Sequence, residues 1–91
     1  MNQLLESFKR RMKIFHDTQD DELIDSLTAS KAAIKSMTGT DDITKPEVKE
    51  LVIERSRYAY NDTLEYFEDN FQSTLIRVAF DNTVGDVIEE T

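Results

Sequence analysis

The sequence contains no cysteine and only one histidine, His16, among its 91 residues. The absence of cysteine excludes disulfide bonds, thiolate nucleophiles and zinc ribbons. One histidine cannot form a histidine cluster around a metal ion. Two glycines and one proline offer little turn chemistry for an all-β fold. We therefore predict no metal site and no bound cofactor, and His16 is expected to form local hydrogen bonds beside Asp17.

Long apolar runs and enzyme motifs are also absent. No run approaches the roughly 20 apolar residues that a membrane span requires, and Met1 to Glu6 lacks the layout of a signal peptide. The Walker loop and the motifs GxGxxG, GxSxG and HExxH do not occur. We expect a protein made in the cytoplasm, without enzymatic activity or membrane association, folded as one domain with a modest core.

Charge is distributed unevenly along the chain. Nineteen acidic residues against eleven basic ones give a net charge of −8. Four cations and one carboxylate give residues 1–15 a charge of +3, which leaves −11 for residues 16–91. The strong negative charge of residues 16–91, called the acidic body here, repels a nucleic-acid backbone. The cations are either a solvated face that complements the acidic body or a contact surface for a partner, and they are Lys9, Arg10, Arg11 and Lys13.

Helical spacing of apolar residues predicts two short helices in the first half of the chain. The first runs from Asn2 to about Lys13 and carries a stripe formed by Leu5, Phe8, Met12 and Phe15. The second runs from about Asp20 to Met37, with N-cap candidates at Asp17, Thr18 and Asp20 and a stripe formed by Leu23, Leu27, Ser30, Ile34 and Met37. Thr38-Gly39 ends it, because glycine adopts the left-handed conformation that follows many helices.

One long helix is predicted in the second half. Thr44 and Glu47 have capping-box spacing, and Pro46 suits a first helical turn. A helix over residues 46–69 would be about 36 Å long. Residues 70–80 fit helix or strand, and helix is preferred because no second strand exists to pair with them, with a bend at Asp69-Asn70. The acidic tail, residues 81–91, is expected to be mobile, with a turn at Asn82 and Gly85.

The predicted fold is therefore all-α. It is a small bundle in which two short helices pack on one long helix, followed by a C-terminal helical segment and the mobile tail. Residues 1–80 form the domain and residues 81–91 the flexible tail.

Aromatic residues crowd the predicted long helix. Tyr58 and Tyr60 would lie about 200° apart around its axis, so both cannot face one core. Exposed aromatic patches are typical of interfaces. We predict that some of these rings contact another protein; the alternative is that a bent C-terminal segment folds back over them. The residues concerned are Tyr58, Tyr60, Tyr66, Phe67 and Phe71.

Three segments together resemble the head–tail connector, or adaptor, proteins of tailed bacteriophages and prophages of Gram-positive hosts. They are the short first helix with its basic end, the segment from Asp20-Asp21-Glu22-Leu23-Ile24 to Met37-Thr38-Gly39, and the aromatic stretch. The resemblance covers about residues 4–80. Its most specific part is Tyr58 to Phe71, which includes Arg57-Tyr58-Ala59-Tyr60-Asn61-Asp62 and Leu64-Glu65-Tyr66-Phe67.

The resemblance implies a structural virion protein at the head–tail interface. Such subunits form a dodecameric ring under the portal protein, enclose double-stranded DNA without reading its sequence, and dock the stopper, which is the next head-completion protein. The family has no catalytic residues. Its C-terminal segment reaches toward the portal, which here implies contacts from Val84, Val87 and Ile88.

Two other functions compete with this one. A small acidic binding protein, such as a regulator that mimics DNA, would stay a monomer or dimer and space its carboxylates like phosphates. A DNA-binding helical module would use the basic cluster of the first helix, but the net charge of −8 and the lack of a basic recognition helix argue against it.

Overall fold

A computed structural model of the chain describes the backbone of residues 2–90 and the side chains of residues 3–84. Within residues 2–90 the secondary structure is entirely helical. The α-helices are α1 (Asn2–Met12), α2 (Asp20–Thr38), α3 (Pro46–Tyr60) and α4 (Phe67–Glu90), and Leu64–Tyr66 form one turn of 3₁₀ helix. The predicted all-α class is confirmed, as is helix rather than strand over residues 70–80.

The core lies where α1, α3 and α4 pack around α2. Its fully buried side chains include Phe8, Leu27, Ile34, Leu51 and Phe67. The predicted stripe of α2 is buried from Leu23 to Ile34, including the small polar residue Ser30. The Ser56 hydroxyl of α3 donates a hydrogen bond of 2.9 Å to the Ser30 hydroxyl. Two serines in contact allow the backbones of α2 and α3 to approach closely and satisfy each other's polar atoms.

The prediction of one long helix over residues 46–69 is wrong, because α3 ends at Tyr60 and the chain reverses there. Asp62 has a φ of 58°, in the left-handed region. The amide of Thr63 donates to the carbonyl of Tyr58 over 2.8 Å, and that of Asp62 to Ala59 over 3.2 Å. This is the Schellman arrangement that ends helices. Asparagine and aspartate enter the left-handed region more easily than other non-glycine residues, so Asn61-Asp62 can end α3 without glycine.

Helices α1 and α2 also end through left-handed residues. Lys13 has a φ of 58°, and the Ile14 amide donates to the Lys9 carbonyl over 2.9 Å. Gly39 has a φ of 85°, and its amide donates to the Lys35 carbonyl over 2.8 Å. The predicted ends of both helices are confirmed. Phe15, predicted on the α1 stripe, lies beyond this turn and is exposed.

The predicted N-terminal caps are wrong for both α2 and α3. Gln19 and Lys45 precede the two helices, and neither makes a side-chain capping hydrogen bond. The Thr44 hydroxyl instead donates to Asp42 over 2.6 Å, and Glu47 pairs with Arg77 of α4. A capping box would use the Thr44 hydroxyl and the Glu47 carboxylate, and both of these groups bind other residues instead. Pro46 opens α3, as expected.

Helix α4 runs antiparallel to α3 and bends near its start. Phe71 has non-helical φ and ψ of −115° and 15°, one residue after the predicted bend. Asn70 contacts Tyr58, and Arg77 contacts Glu47, nearer the start of α3. The helix crosses residues 80 and 81 without a break and continues to Glu90, so the predicted turn at Asn82 and Gly85 is not formed. In residues 2–90 no helix combines the length and the apolar character that crossing a bilayer requires.

Candidate interaction surfaces

Three of the predicted interface aromatics pack on one another inside the subunit. The rings of Tyr58 and Phe67 lie 5.7 Å apart, those of Tyr58 and Phe71 5.8 Å, and those of Phe67 and Phe71 5.0 Å. Phe67 is 1% exposed, and the other two are half-buried. The reversal after Tyr60 creates this cluster by folding α4 back onto α3. The interface prediction is therefore wrong for Phe67, which belongs to the core.

Two other aromatics remain on the surface. Tyr66, in the 3₁₀ turn, is 56% exposed. Tyr60 is also exposed, and its hydroxyl donates to the Gln19 side chain over 3.3 Å. Both rings are available to a partner, so their assignment to an interface stays a prediction.

The predicted basic cluster divides into two pairs of residues with different surroundings. The amine of Lys9 donates to Asp17 over 2.9 Å and to Asp20 over 2.7 Å. The hydrogen bonds to Asp20 and then Asp17 raise the pKa of Lys9. Arg11 forms ion pairs with Glu50 and Glu54 of α3, each at 2.9 Å. These two cations hold the subunit together, as the solvated-face alternative expected of complementary charges.

Arg10 and Lys13 are exposed, and neither forms an ion pair with a residue of the described part of the chain. Phe15 lies close by and is 86% exposed. Arg10 and Phe15 line an open groove together with Leu5, Glu6, Lys9, Ile14, Asp17 and Asp20. We call this the α1 groove. Its lining contains three apolar residues, of which Phe15 is the exposed one, and five charged residues. Lys9 forms ion pairs with both of its aspartates.

Helix α4 carries a second apolar face that the sequence analysis missed. Ile76 is 61% exposed, Phe80 65% and Val84 36%. Successive residues of a helix are about 100° apart, so positions 76, 80 and 84 share one side, opposite Phe71 and Val78, which pack against the core. We call Ile76, Phe80 and Val84 the outer face of α4. The spacing of four residues is present in the sequence, but it does not show which of the two apolar stripes of this segment is buried.

Of the predicted portal-docking residues, Val84 therefore lies on the outer face. The side chains of Val87 and Ile88 lie outside the described residues.

Acidic and histidine side chains do not form a metal site in the part of the chain that the structure describes. His16 shares a hydrogen bond of 2.8 Å with Thr18. Among the described residues, exposed apolar side chains that a partner could contact lie at the α1 groove, at Tyr60 and Tyr66, and on the outer face of α4.

No protein-family model, curated protein or solved structure matches the chain.

Proposed function

We propose that the chain is a structural subunit of the phage head–tail connector type, without enzymatic activity. In this role many copies form a ring, of twelve subunits by the family resemblance, beneath the portal protein. The ring extends the channel for double-stranded DNA and docks the stopper protein. Its place is the head–tail interface of the virion. The observation that carries the proposal is the outer face of α4.

A helix with apolar side chains on two opposite faces suits a position between two packed layers. The bundle supplies one layer, since α4 packs on α2 and α3. The outer face exposes Ile76 and Phe80 side by side, which is unfavourable in water. A neighbouring protein in an assembly would supply the second layer and remove this surface from solvent.

Charge and shape support the same role. A net charge of −8 suits the wall of a DNA channel, because repulsion keeps passing DNA from adhering. The subunit measures 49 × 26 × 17 Å, which is an elongated shape suited to a ring wall. The resemblance adds the portal as the neighbour at the C-terminal end, near Val84, Val87 and Ile88.

Light scattering of the purified protein, alone and mixed with a candidate phage portal, tests the proposal. We expect either a ring of many subunits or a monomer that joins the portal in a fixed stoichiometry. Phe80→Asp should abolish assembly, whereas Gln72→Asp, which adds the same charge at another exposed position of α4, should leave it intact. A monomer or dimer that ignores portals would contradict the proposal and favour the small acidic regulator.

A further inference from the structure

We infer that a cationic groove between α1 and α3 binds the acidic end of α4 from a neighbouring copy. The inference rests on the proposed function, which requires many copies to assemble, and identifies one contact between them. The groove is lined by Arg10, Arg11 and Lys49 among others, and we call it the α1–α3 groove. The acidic end of α4 is residues 86–90, the last of the helix.

The α1–α3 groove has an excess of positive charge in an acidic chain. Its lining contains three cations and one carboxylate, Glu50. Arg11 pairs with Glu50 and with Glu54, each at 2.9 Å, so its charge is balanced within the subunit. Arg10 and Lys49 form no ion pair with a residue of the described part of the chain. These two cations favour an acidic occupant.

Two further carboxylates of the same helices do not cancel this charge. Glu6 of α1 lines the α1 groove and is not part of the α1–α3 groove. Glu47 of α3 pairs with Arg77 of α4. The positive charge of Arg10 and Lys49 is therefore available to a second molecule.

The end of α4 has the complementary charge. Residues 86–90 contain three carboxylates and no cation. Because successive residues of a helix are about 100° apart, positions 86, 89 and 90 share one side, and positions 84, 87 and 88 share the opposite side. The acidic side can thus face the groove of a neighbour while the apolar side is left for the portal contact proposed above.

The end of α4 leads away from the groove of its own subunit. Helix α4 runs antiparallel to α3, and Arg77 already lies level with Glu47 in the first turn of α3. The thirteen residues that follow Arg77 in α4 extend about 20 Å past the start of α3. Lys49 and Ile53, which line the groove, lie in the opposite direction along α3. A second copy must therefore supply the occupant.

A contact between two different surfaces has a geometric consequence. Each copy offers one groove and one acidic helix end, so every copy can bind one neighbour on each side. Such head-to-tail contacts generate a closed ring when the rotation between neighbours closes.

Cysteine cross-linking tests the contact, because the chain has no cysteine of its own. Ser7 lines the groove and Thr91 follows the three carboxylates, so cysteine at either position keeps every charge of the contact. Under mild oxidation we expect a mixture of Ser7→Cys and Thr91→Cys to give a cross-linked dimer, and the double variant to give a ladder of multimers. Thr28→Cys combined with Thr91→Cys is the matched control. Thr28 is exposed on α2 and does not line the groove, so this pair should give no ladder.

A charge-reversal pair adds a second readout. Lys49→Glu and Glu89→Lys should each weaken self-association about fivefold, the effect of losing one exposed ion pair. The double reversal should recover most of the loss. Lys35→Glu makes the same change of charge at an exposed position of α2 and should leave self-association unchanged.

The outcomes separate this inference from the proposed function. A disulfide formed within one chain of the double cysteine variant would show that α4 reaches its own groove and would overturn the inference. If Lys49→Glu weakens binding to portal but not self-association, the groove takes an acidic segment of the portal instead, and the inference fails while the proposed function stands. Assembly that Lys49→Glu leaves entirely unchanged has the same meaning for both. If the unsubstituted chain assembles neither alone nor with portal, both fail.

Discussion

Arg11 of α1 donates a hydrogen bond of 2.9 Å to Glu54 of α3 and so joins the first helix to the third. Arg57 donates to the same carboxylate over 2.7 Å and 3.1 Å. The Glu54 side chain is 11% exposed, so it is a nearly buried carboxylate held between two guanidinium groups. The hydrogen bonds from Arg57, and secondarily from Arg11, lower the pKa of Glu54. The basic cluster of α1 thus contributes to the stability of the subunit.

This arrangement predicts a loss of stability in acid. Glu54 has a lower pKa in the folded chain than in the unfolded chain, so the unfolded state binds more protons at low pH. Its contribution should be fully present above the unfolded pKa of about 4.3 and should be lost as pH falls through the lowered folded pKa. The hydrogen bond from Lys9 lowers the pKa of Asp17, and the hydrogen bonds from the Thr44 hydroxyl and amide lower the pKa of Asp42, so both carboxylates add to the same trend. Urea denaturation at several pH values between neutrality and strong acid measures it.

Glu54→Gln provides the control for that measurement. Glutamine keeps an acceptor oxygen but no charge, so we expect the variant to lose about 1 kcal/mol at neutral pH, a modest value because both arginines are partly exposed. Its free energy of unfolding should also depend less on pH below about 5 than that of the unsubstituted chain. Equal pH dependence in the two proteins would show that Glu54 is not a major source of the acid sensitivity.

Two adjacent aromatic residues should respond very differently to truncation. Phe67 lies in the core between Tyr58 and Phe71, so Phe67→Ala should destabilise the subunit by about 3–5 kcal/mol. Tyr66 is mainly exposed, so Tyr66→Ala should change the free energy of unfolding by less than about 0.5 kcal/mol. Thermal or chemical unfolding of the two variants compares them directly. Similar losses for both would contradict the assignment of Phe67 alone to the core.

The first two helices were predictable because local signals and burial agree there. The stripe from Leu23 to Ile34 has helical spacing and is buried, and Gly39 ends the helix in a conformation that glycine favours. Periodicity could not reveal the reversal after Tyr60, because the apolar spacing continues through it from Ile53 to Phe71. The determining signal is Asn61-Asp62, a weak one, since both residues also occur within helices.

The interaction surfaces were harder to predict for a different reason. Four cations close together in sequence fit both a solvated face and a contact surface, and the sequence alone does not show which of them pair with acidic residues far along the chain. Glu50 and Glu54 reach Arg11 only because α1 packs on α3. The sequence alone does not identify the outer face of α4, because Ile76 and Phe80 are as apolar as the core residues of the opposite stripe. Burial in the folded subunit distinguishes the two stripes.

The end of α3 offers a stabilising substitution. Asp62 has a φ of 58° and follows the C-terminus of α3, where a negative charge opposes the helix dipole. Asp62→Gly removes both penalties and should raise the free energy of unfolding by about 1 kcal/mol, measured by urea denaturation. Asp62→Ala is the control, because it removes the charge and keeps a Cβ atom on a residue in the left-handed backbone conformation. If alanine stabilises as much as glycine, charge rather than backbone conformation limits this turn.

The end of α2 offers the opposite case, a glycine that should not be replaced. Gly39 has a φ of 85°, and a Cβ atom there would lie 2.8 Å from the Asn82 side-chain nitrogen of α4. Because the Asn82 side chain can rotate away, we attribute most of the expected loss for Gly39→Ala, about 1–2 kcal/mol, to the left-handed backbone. Measuring Gly39→Ala with and without Asn82→Ala separates the two causes. The loss should be nearly the same in both backgrounds. Recovery of stability when Asn82→Ala accompanies the substitution would instead identify the contact with α4 as the cause.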